Sequence, residues 1–542
     1  MRPRPVLCAA TGGVCLLLLI AIGADISSRR HLDDPIAPSA FAQMRAILAA
    51  KHARAVAGLP EEARPIARVN RPASSNHPHS AVIGSLLAAL ATLNPERALM
   101  AAGALTSQGD ISHSTNIARS TYGVDGTGVR VGVLSDSVES LASLLASGDL
   151  PADTTIVEDI IDGPGSSEGT AMMEIIHDLA PGTQLFFASS VNSPESFAAN
   201  IRTLRNVYHC DVIVDGTSWS TESPFSYGVI AQAVDAVVAD GAVYVSAAGN
   251  SGSLTRNNAS TWQGDFAAAG TDPLLPGYTL HSFGGQSFNR LLVSTAAIEL
   301  FWSDPPEAST NDYDLFVLNS AGTSVVSAST NIQNGTQRPF EEVFRASGFP
   351  VNSRVVIAAT AGAAPRALAL QAFFGEALQL KTAGRIGGHA GIPAAVTVAP
   401  VFWNSARKGT KPFVGGAFNP TEVFSSDGPR RLFYAPDGSP LTPGNLLFAT
   451  NGGQVVQKPD FAAADGITAR TTGYSPYYGA NAGAAHIAGI AALMKAAKPS
   501  LTPAEIRAAM ASAALDIMAP GNDRDGGIGI VMAPAAIAKA LQ

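Results

Sequence analysis

Between Val129 and Ala247 the chain alternates short apolar, β-branched runs with longer helix-patterned ones. Val129–Ser135 (VRVGVLS), Gln184–Ala188 (QLFFA), Asp211–Val214 and Ala242–Ala247 (AVYVSA) read as strands. Gly169–Leu179, Pro194–Tyr208 and Tyr227–Ala239 read as helices. Strands that stay apolar without alternating are buried on both faces, as in a parallel sheet. Gly126-Thr127-Gly128 and Pro181-Gly182 supply the breaks between elements. This β-α-β rhythm leaves room for one architecture, an α/β fold with a doubly wound, mostly parallel sheet. Such sheets place ligands in the crevice beyond the carboxyl ends of the strands, so polar residues there come first as candidates.

The rhythm breaks over residues 274–377. Leu292–Ser303, Asp314–Leu318, Ser353–Ala359 and Ala367–Phe374 read as strands with no helix between them. An inserted β-sandwich is expected. Asn311-Asp312-Tyr313-Asp314-Leu315-Phe316 opens one strand, and Asp312 and Asp314 suggest structural calcium. Two carboxylates are too few to define such a site, and polar strand-end residues are the simpler explanation. The α/β pattern returns near Gly384 and closes with a helix opened by Thr502-Pro503-Ala504-Glu505, where Thr502 is the N-cap.

Residues 1–24 carry Arg2 and Arg4 before an uncharged run from Val6 to Ala24. Two readings stay open: a signal peptide, or an uncleaved anchor that would bring the protein to a membrane. Either makes the protein secreted or extracytoplasmic. Residues 25–106 read as a prosegment or helical N-terminal region, with helix-like runs at Ala40–Ala57 and Ser80–Ala102. The main unit then divides into residues 107–273 and 378–542. Cys8 and Cys15 lie in the leader, so Cys210 has no cysteine to pair with after cleavage and reads as a small buried hydrophobe. The net charge of −8 disfavours a nucleic-acid partner.

Gly479–Gly489 reads GANAGAAHIAG. With Gly479, His486, Ala488 and Gly489 in place, it resembles the nucleophile segment G-T-S-x-A-x-P-H-x-A-G of the subtilase (peptidase S8, subtilisin-like) family. The resemblance extends over Ser107–Gln542 apart from the insertion, and includes Glu422–Pro429 and Lys458–Ala463. It implies serine-endopeptidase ancestry, a subtilisin-like sheet and four site positions. Asp136, after VRVGVLS, is the acid position. Glu168, in Glu168-Gly169-Thr170, stands where the family has its histidine base. Asn250, in Ala247-Ala248-Gly249-Asn250-Ser251-Gly252, is the oxyanion donor. Asn481 occupies the nucleophile position, where the family has serine. The sedolisins, relatives of the same fold, use a glutamate base, but their second helix carboxylate would fall where this chain has Met172.

An amide cannot be activated as a serine hydroxyl is. His177 does not replace the missing histidine, for it lies about 13 Å further along the helix. Ser218, in Gly216-Thr217-Ser218, and Ser475 are the nearest substitutes in sequence, and neither precedes a helix of the required pattern. Three functions therefore stand side by side. One is a degenerate subtilase, a pseudopeptidase that keeps a cleft for a peptide or protein. The second is an active endopeptidase with Glu168 as base and another nucleophile. The third is a surface-binding protein that acts through the insertion.

Overall fold

The computed structural model describes residues 105–161, 165–372, 378–405 and 411–542. The expected leader, and all of the N-terminal helical region except its last two residues, lie outside them. After short helices α1 (Gly109–Ser112) and α2 (Thr115–Tyr122), the main unit runs β1 (Arg130–Ser135), α3 (Leu141–Ser147), β2 (Thr155–Glu158), α4 (Glu168–Leu179), β3 (Gln184–Ser189), α5 (Pro194–Asn206), β4 (Val212–Asp215), α6 (Val229–Ala239) and β5 (Val243–Ala247). It resumes with β6 (Val396–Phe402), β7 (Phe461–Asp465), α7 (Ala480–Ala497), α8 (Pro503–Ala513), β8 (Ala514–Leu515), β9 (Ile530–Val531) and α9 (Ala533–Ala540).

These strands form a nine-stranded sheet in the order β8-β9-β7-β6-β5-β4-β1-β3-β2. Every neighbouring pair is parallel except β8 with β9. The sheet is therefore mostly parallel and doubly wound, as the alternating pattern requires, and the subtilisin-like architecture that the resemblance implies has the same form. β1, β3, β4 and β5 are apolar and buried along nearly their whole length. One core lies on the α4, α7 side of the sheet and a second under α5 and α6. Cys210 belongs to the second, and burial lifts its thiol pKa to about 12.

α7 passes through the first core with Ala480–Lys495 all buried. A helix enclosed on all sides needs small side chains to let its neighbours approach. A Cβ on Gly489 would lie 3.0 Å from Leu179 Cβ on α4, closer than ordinary contact. α8 carries the predicted cap: Thr502 accepts from the Glu505 N–H and Glu505 returns the bond to the Thr502 backbone, a capping box.

Between β5 and β6 the chain forms two antiparallel sheets over a shared apolar core. One has the order Phe340–Phe349, Thr295–Trp302, Ala367–Ala372, Thr261–Asp265. The other is built around Tyr313–Leu318 and Arg354–Ala359. Thr261–Asp265 precedes residue 274, so the strand leaving the Asn250 loop already belongs to this unit. Among the described residues no group of three or more His, Cys, Asp or Glu side chains could hold a metal. The Asp312 carboxylate accepts the Gln333 N–H, and Asp314 takes the Tyr278 hydroxyl. No described helix is long and apolar enough to cross a membrane.

Two buried histidines fasten the N-terminal segment to this frame. His486 Nδ1 donates to Ala482 O (2.7 Å), which leaves Nε2 to accept from Ser107 Oγ (2.9 Å). His113 Nδ1 donates to Val531 O (2.7 Å) and its Nε2 accepts the Ala464 N–H (2.9 Å). Both rings must be neutral to do this, and burial pushes their pKa values down to about 3 for His486 and about 4 for His113. An unfolded histidine titrates near 6.5, so the folded state binds fewer protons between those values. The docking of α1 and α2 is thus complete above about pH 6.5 and is lost as pH falls through the folded values. Amide exchange in residues 109–122 should therefore accelerate, relative to intrinsic rates, as pH is lowered from 7 to 4, and His486→Gln should flatten part of that response.

Candidate functional site

Asp136 follows β1 directly at the carboxyl edge of the sheet and is buried. Its Oδ1 accepts the Ser137 N–H (2.7 Å), and its backbone carbonyl accepts from Ser189 Oγ (3.0 Å). Those bonds fix the carboxylate just beyond the strand. The Ser137 carbonyl in turn accepts the Gly169 N–H (3.1 Å), which joins the Asp136 loop to the start of α4. Only glycine fits there: a Cβ on Gly169 would lie 2.3 Å from the Phe187 ring and 2.8 Å from Ser137 O.

Glu168 is the first residue of α4 and is fully buried. Its position in the first turn places a carboxylate at the positive end of the helix dipole. Oε1 accepts from Asn481 Nδ2 (2.7 Å) and from the Tyr477 hydroxyl (3.1 Å). The two residues that the motifs align with base and nucleophile are therefore in direct hydrogen-bond contact. Tyr474, packed edge-on to Tyr477 at 5.0 Å, bonds Ser166 Oγ (2.9 Å), and Ser166 Oγ accepts the Glu168 N–H (3.0 Å). Burial and the nearby charges of Glu168 and Asp136 hold both phenols protonated, well above the usual tyrosine range. Both rings thus lie in the field of both carboxylates.

Asn481 sits in the first turn of α7, almost wholly buried. Its amide lies against Gly216, just beyond β4, and Met172 of α4 stands over the same spot. A Cβ on Gly216 would be 2.8 Å from Asn481 Cγ and 3.1 Å from Met172 Sδ. Asn250 is half-buried beyond β5, and its Oδ1 accepts the Ala480 N–H (3.0 Å), which leaves Nδ2 as its donor end. The four sequence-predicted positions thus converge: Asn481 bonds Glu168, Asn250 bonds the residue before Asn481, and Asp136 shares the Tyr474–Tyr477 wall with Glu168. Of the two substitute serines, Ser218 is exposed on the segment that begins at Gly216, and Ser475 is half-buried.

Sequence reading misses three groups here. Tyr474 and Tyr477 have no periodic or motif signal, because they lie on the loop that approaches α7. Asp465, fully buried at the end of β7, lies beneath the same helix start and accepts the Gly479 N–H (2.9 Å). A third cluster, His389 held between Glu222 (2.7 Å) and Asp215 (3.2 Å), lies behind β4. Burial opposes charge on His389, but the two carboxylates overcome it and lift its pKa to about 10. That ion group ties β4 and the Gly216–Glu222 segment to Gly388–Gly391.

Residues 160–529 match the family described as Subtilase family, Peptidase_S8, and the chain belongs to that family. No curated protein sequence matches the chain. Solved structures similar to it include the Clostridium perfringens CspB protease, at 12% identity and a TM-score of 0.49, covering 80% of this chain and 97% of that one. MycP1 from Mycobacterium smegmatis is similar at 16% identity and a TM-score of 0.34, over 82% of this chain and 87% of that one.

Replacing Gly216 by alanine should drive the Asn481 amide off Glu168. The expected cost is about 1–3 kcal/mol, the usual range for overpacking a filled site. Thermal unfolding of Gly216→Ala beside Ser218→Ala measures it, with the exposed serine variant expected to match wild type.

Proposed function

We propose that this subtilase-family protein is catalytically silent and uses its cleft to hold an extended peptide or protein segment. The observation that carries this reading is the 2.7 Å bond from Asn481 Nδ2 to Glu168 Oε1. In a working site the base takes a proton from a hydroxyl nucleophile. Here the base position accepts from an amide, which has no proton to yield at ordinary pH and no attacking oxygen. The Tyr477 hydroxyl adds a second donor to the same carboxylate oxygen and strengthens its role as a fixed acceptor. Asn250, with Nδ2 as its donor end, can still bind a carbonyl oxygen of an occupant.

Several features support a retained cleft. Asp136, Glu168, Asn250 and Asn481 stand at the carboxyl ends of β-strands or the start of the helix that follows, where α/β sheets bind ligands. The Gly216–Ser218 segment borders the site, and Ser218 is exposed. The family's substrates are peptides and proteins, which sets the class of occupant. A secreted location agrees with the apolar leader-like run of residues 6–24.

The purified protein should leave unfolded casein intact from acid to neutral pH and should not react with a fluorophosphonate probe. Asn481→Ser should gain probe labelling at residue 481, located by peptide mass analysis. Labelling of the wild-type protein at Ser218, Ser475 or any other serine, together with casein turnover, would show an active peptidase instead.

A further inference from the structure

The segment Gly216–Glu222 leaves the carboxyl end of β4 beside Asn481. Ser218 is exposed on it, whereas Thr217, Trp219, Thr221 and Glu222 are buried. Both ends of the segment close on one side chain. His389 Nε2 donates to Oδ1 of Asp215, the last residue of β4 (3.2 Å), and Nδ1 donates to Glu222 Oε2 (2.7 Å). The His389 backbone N–H donates to the other Glu222 oxygen (3.0 Å). Asp215 Oδ1 also accepts from the Thr217 N–H (3.2 Å) and from Ser246 Oγ (3.1 Å). The middle of the segment is held as well. Trp219 Nε1 donates to Ser190 O (3.0 Å), and the Glu222 N–H donates to Trp219 O (3.1 Å).

The inserted unit reaches the same segment. Arg338, just ahead of the strand Phe340–Phe349, donates through Nη2 to Thr221 O. Its Nε lies 3.4 Å from Glu307, and its guanidinium stands over the Phe340 ring (5.5 Å). Phe225, three residues beyond Glu222, packs in one cluster with Phe301 and Ala369 of the insertion. The far end of the segment is therefore gripped from both sides, by His389 from the main unit and by Arg338 from the insertion.

Three buried charges are a weak source of stability, because the cost of taking them out of water offsets their attraction. What such a group does supply is geometry, since each charge must meet its partner. Here the partners are the first and last anchors of one segment.

We propose that His389 and Arg338 are positioning residues that hold Gly216–Glu222 as a rigid rim of the cleft. The inserted β-sandwich then serves the cleft as part of its frame. Both residues act through Thr221 and Glu222. The rim's use to an occupant rests on the retained-cleft reading above; its rigidity does not.

Hydrogen exchange of the full chain without ligand tests the rim at the Thr217 and Glu222 amides, with β1 as the internal reference. A glutamine at position 389 can donate to only one of the two carboxylates and turns an oxygen toward the other. Protection at both rim amides should therefore fall about tenfold in His389→Gln, with β1 unchanged. Arg338→Gln should lower Glu222 protection about tenfold. Arg338→Lys, which can still donate to Thr221 O, should recover most of that loss. The two Arg338 variants decide alone if His389→Gln does not fold. Wild-type protection at the rim in either folded glutamine variant overturns the proposal, as does a loss shared equally by β1. Carboxymethylated casein probes the cleft itself. The wild-type protein should bind it, and the glutamine variants should bind it about tenfold more weakly through loss of preorganisation. Equal binding by variants with a loosened rim overturns the rim's part in the cleft. Absence of binding by the wild-type protein ends the retained-cleft reading, and the exchange rates still decide the rim.

Discussion

The contact between Glu168 and Asn481 depends on how closely α7 lies on α4. Side chains as small as those of Ala482, Ala485, Ala488 and Gly489 allow the approach, and Gly489 against Leu179 marks its tightest point. Because both helices begin at the same edge of the sheet, their first turns meet. Glu168 opens one and Asn481 lies in the first turn of the other, so the packing that closes the core also presses an amide against a carboxylate. A larger residue midway along α7 would separate two groups at its end that it never touches.

On the proposed reading, this arrangement turns chemistry into structure at one point. A serine at position 481 would be an adjustable donor, able to give its proton away. Asparagine is a permanent donor with fixed geometry, seated against Gly216 and Met172. Tyr477 fills the remaining approach to the same carboxylate oxygen. The site thereby resembles a buried polar network of the core. His486 plays a comparable part at the far side of the same helix. It is a landmark of the family motif in sequence, and in the fold it joins α7 to Ser107.

Much of the sheet is legible in the chain because its strands are unbroken apolar runs. β1, β3, β4 and β5 fall where their β-branched and aromatic residues stand. β2 is not legible: Thr155–Glu158 is a short, half-exposed edge strand, and four such residues carry little pattern. β7 is mostly alanine, which has no strand preference, and neighbours on both sides impose its conformation. In the site, the motif spacing locates Asn481, Glu168 and Asn250, since each lies in a turn with fixed glycine geometry. It says nothing about Tyr477. That residue matters through a contact across 309 positions of chain, and such contacts leave no periodic trace in a single sequence.

The strand Thr261–Asp265 has a further consequence. It begins eleven residues after Asn250 and lies at the edge of a sheet in the inserted unit. Just before it, Ser260 Oγ donates to Ser251 O (3.1 Å) and Ser260 O accepts the Ala372 N–H (2.8 Å). Further along, Gln263 reaches Ala383 and Gly384, and Asp265 accepts from Phe448 and Ala449. The Asn250 turn is thus tied to the edge of the inserted sheet by a short segment that is itself hydrogen-bonded at Ser260, so the inserted unit and the residues around Asn481 share one stretch of chain.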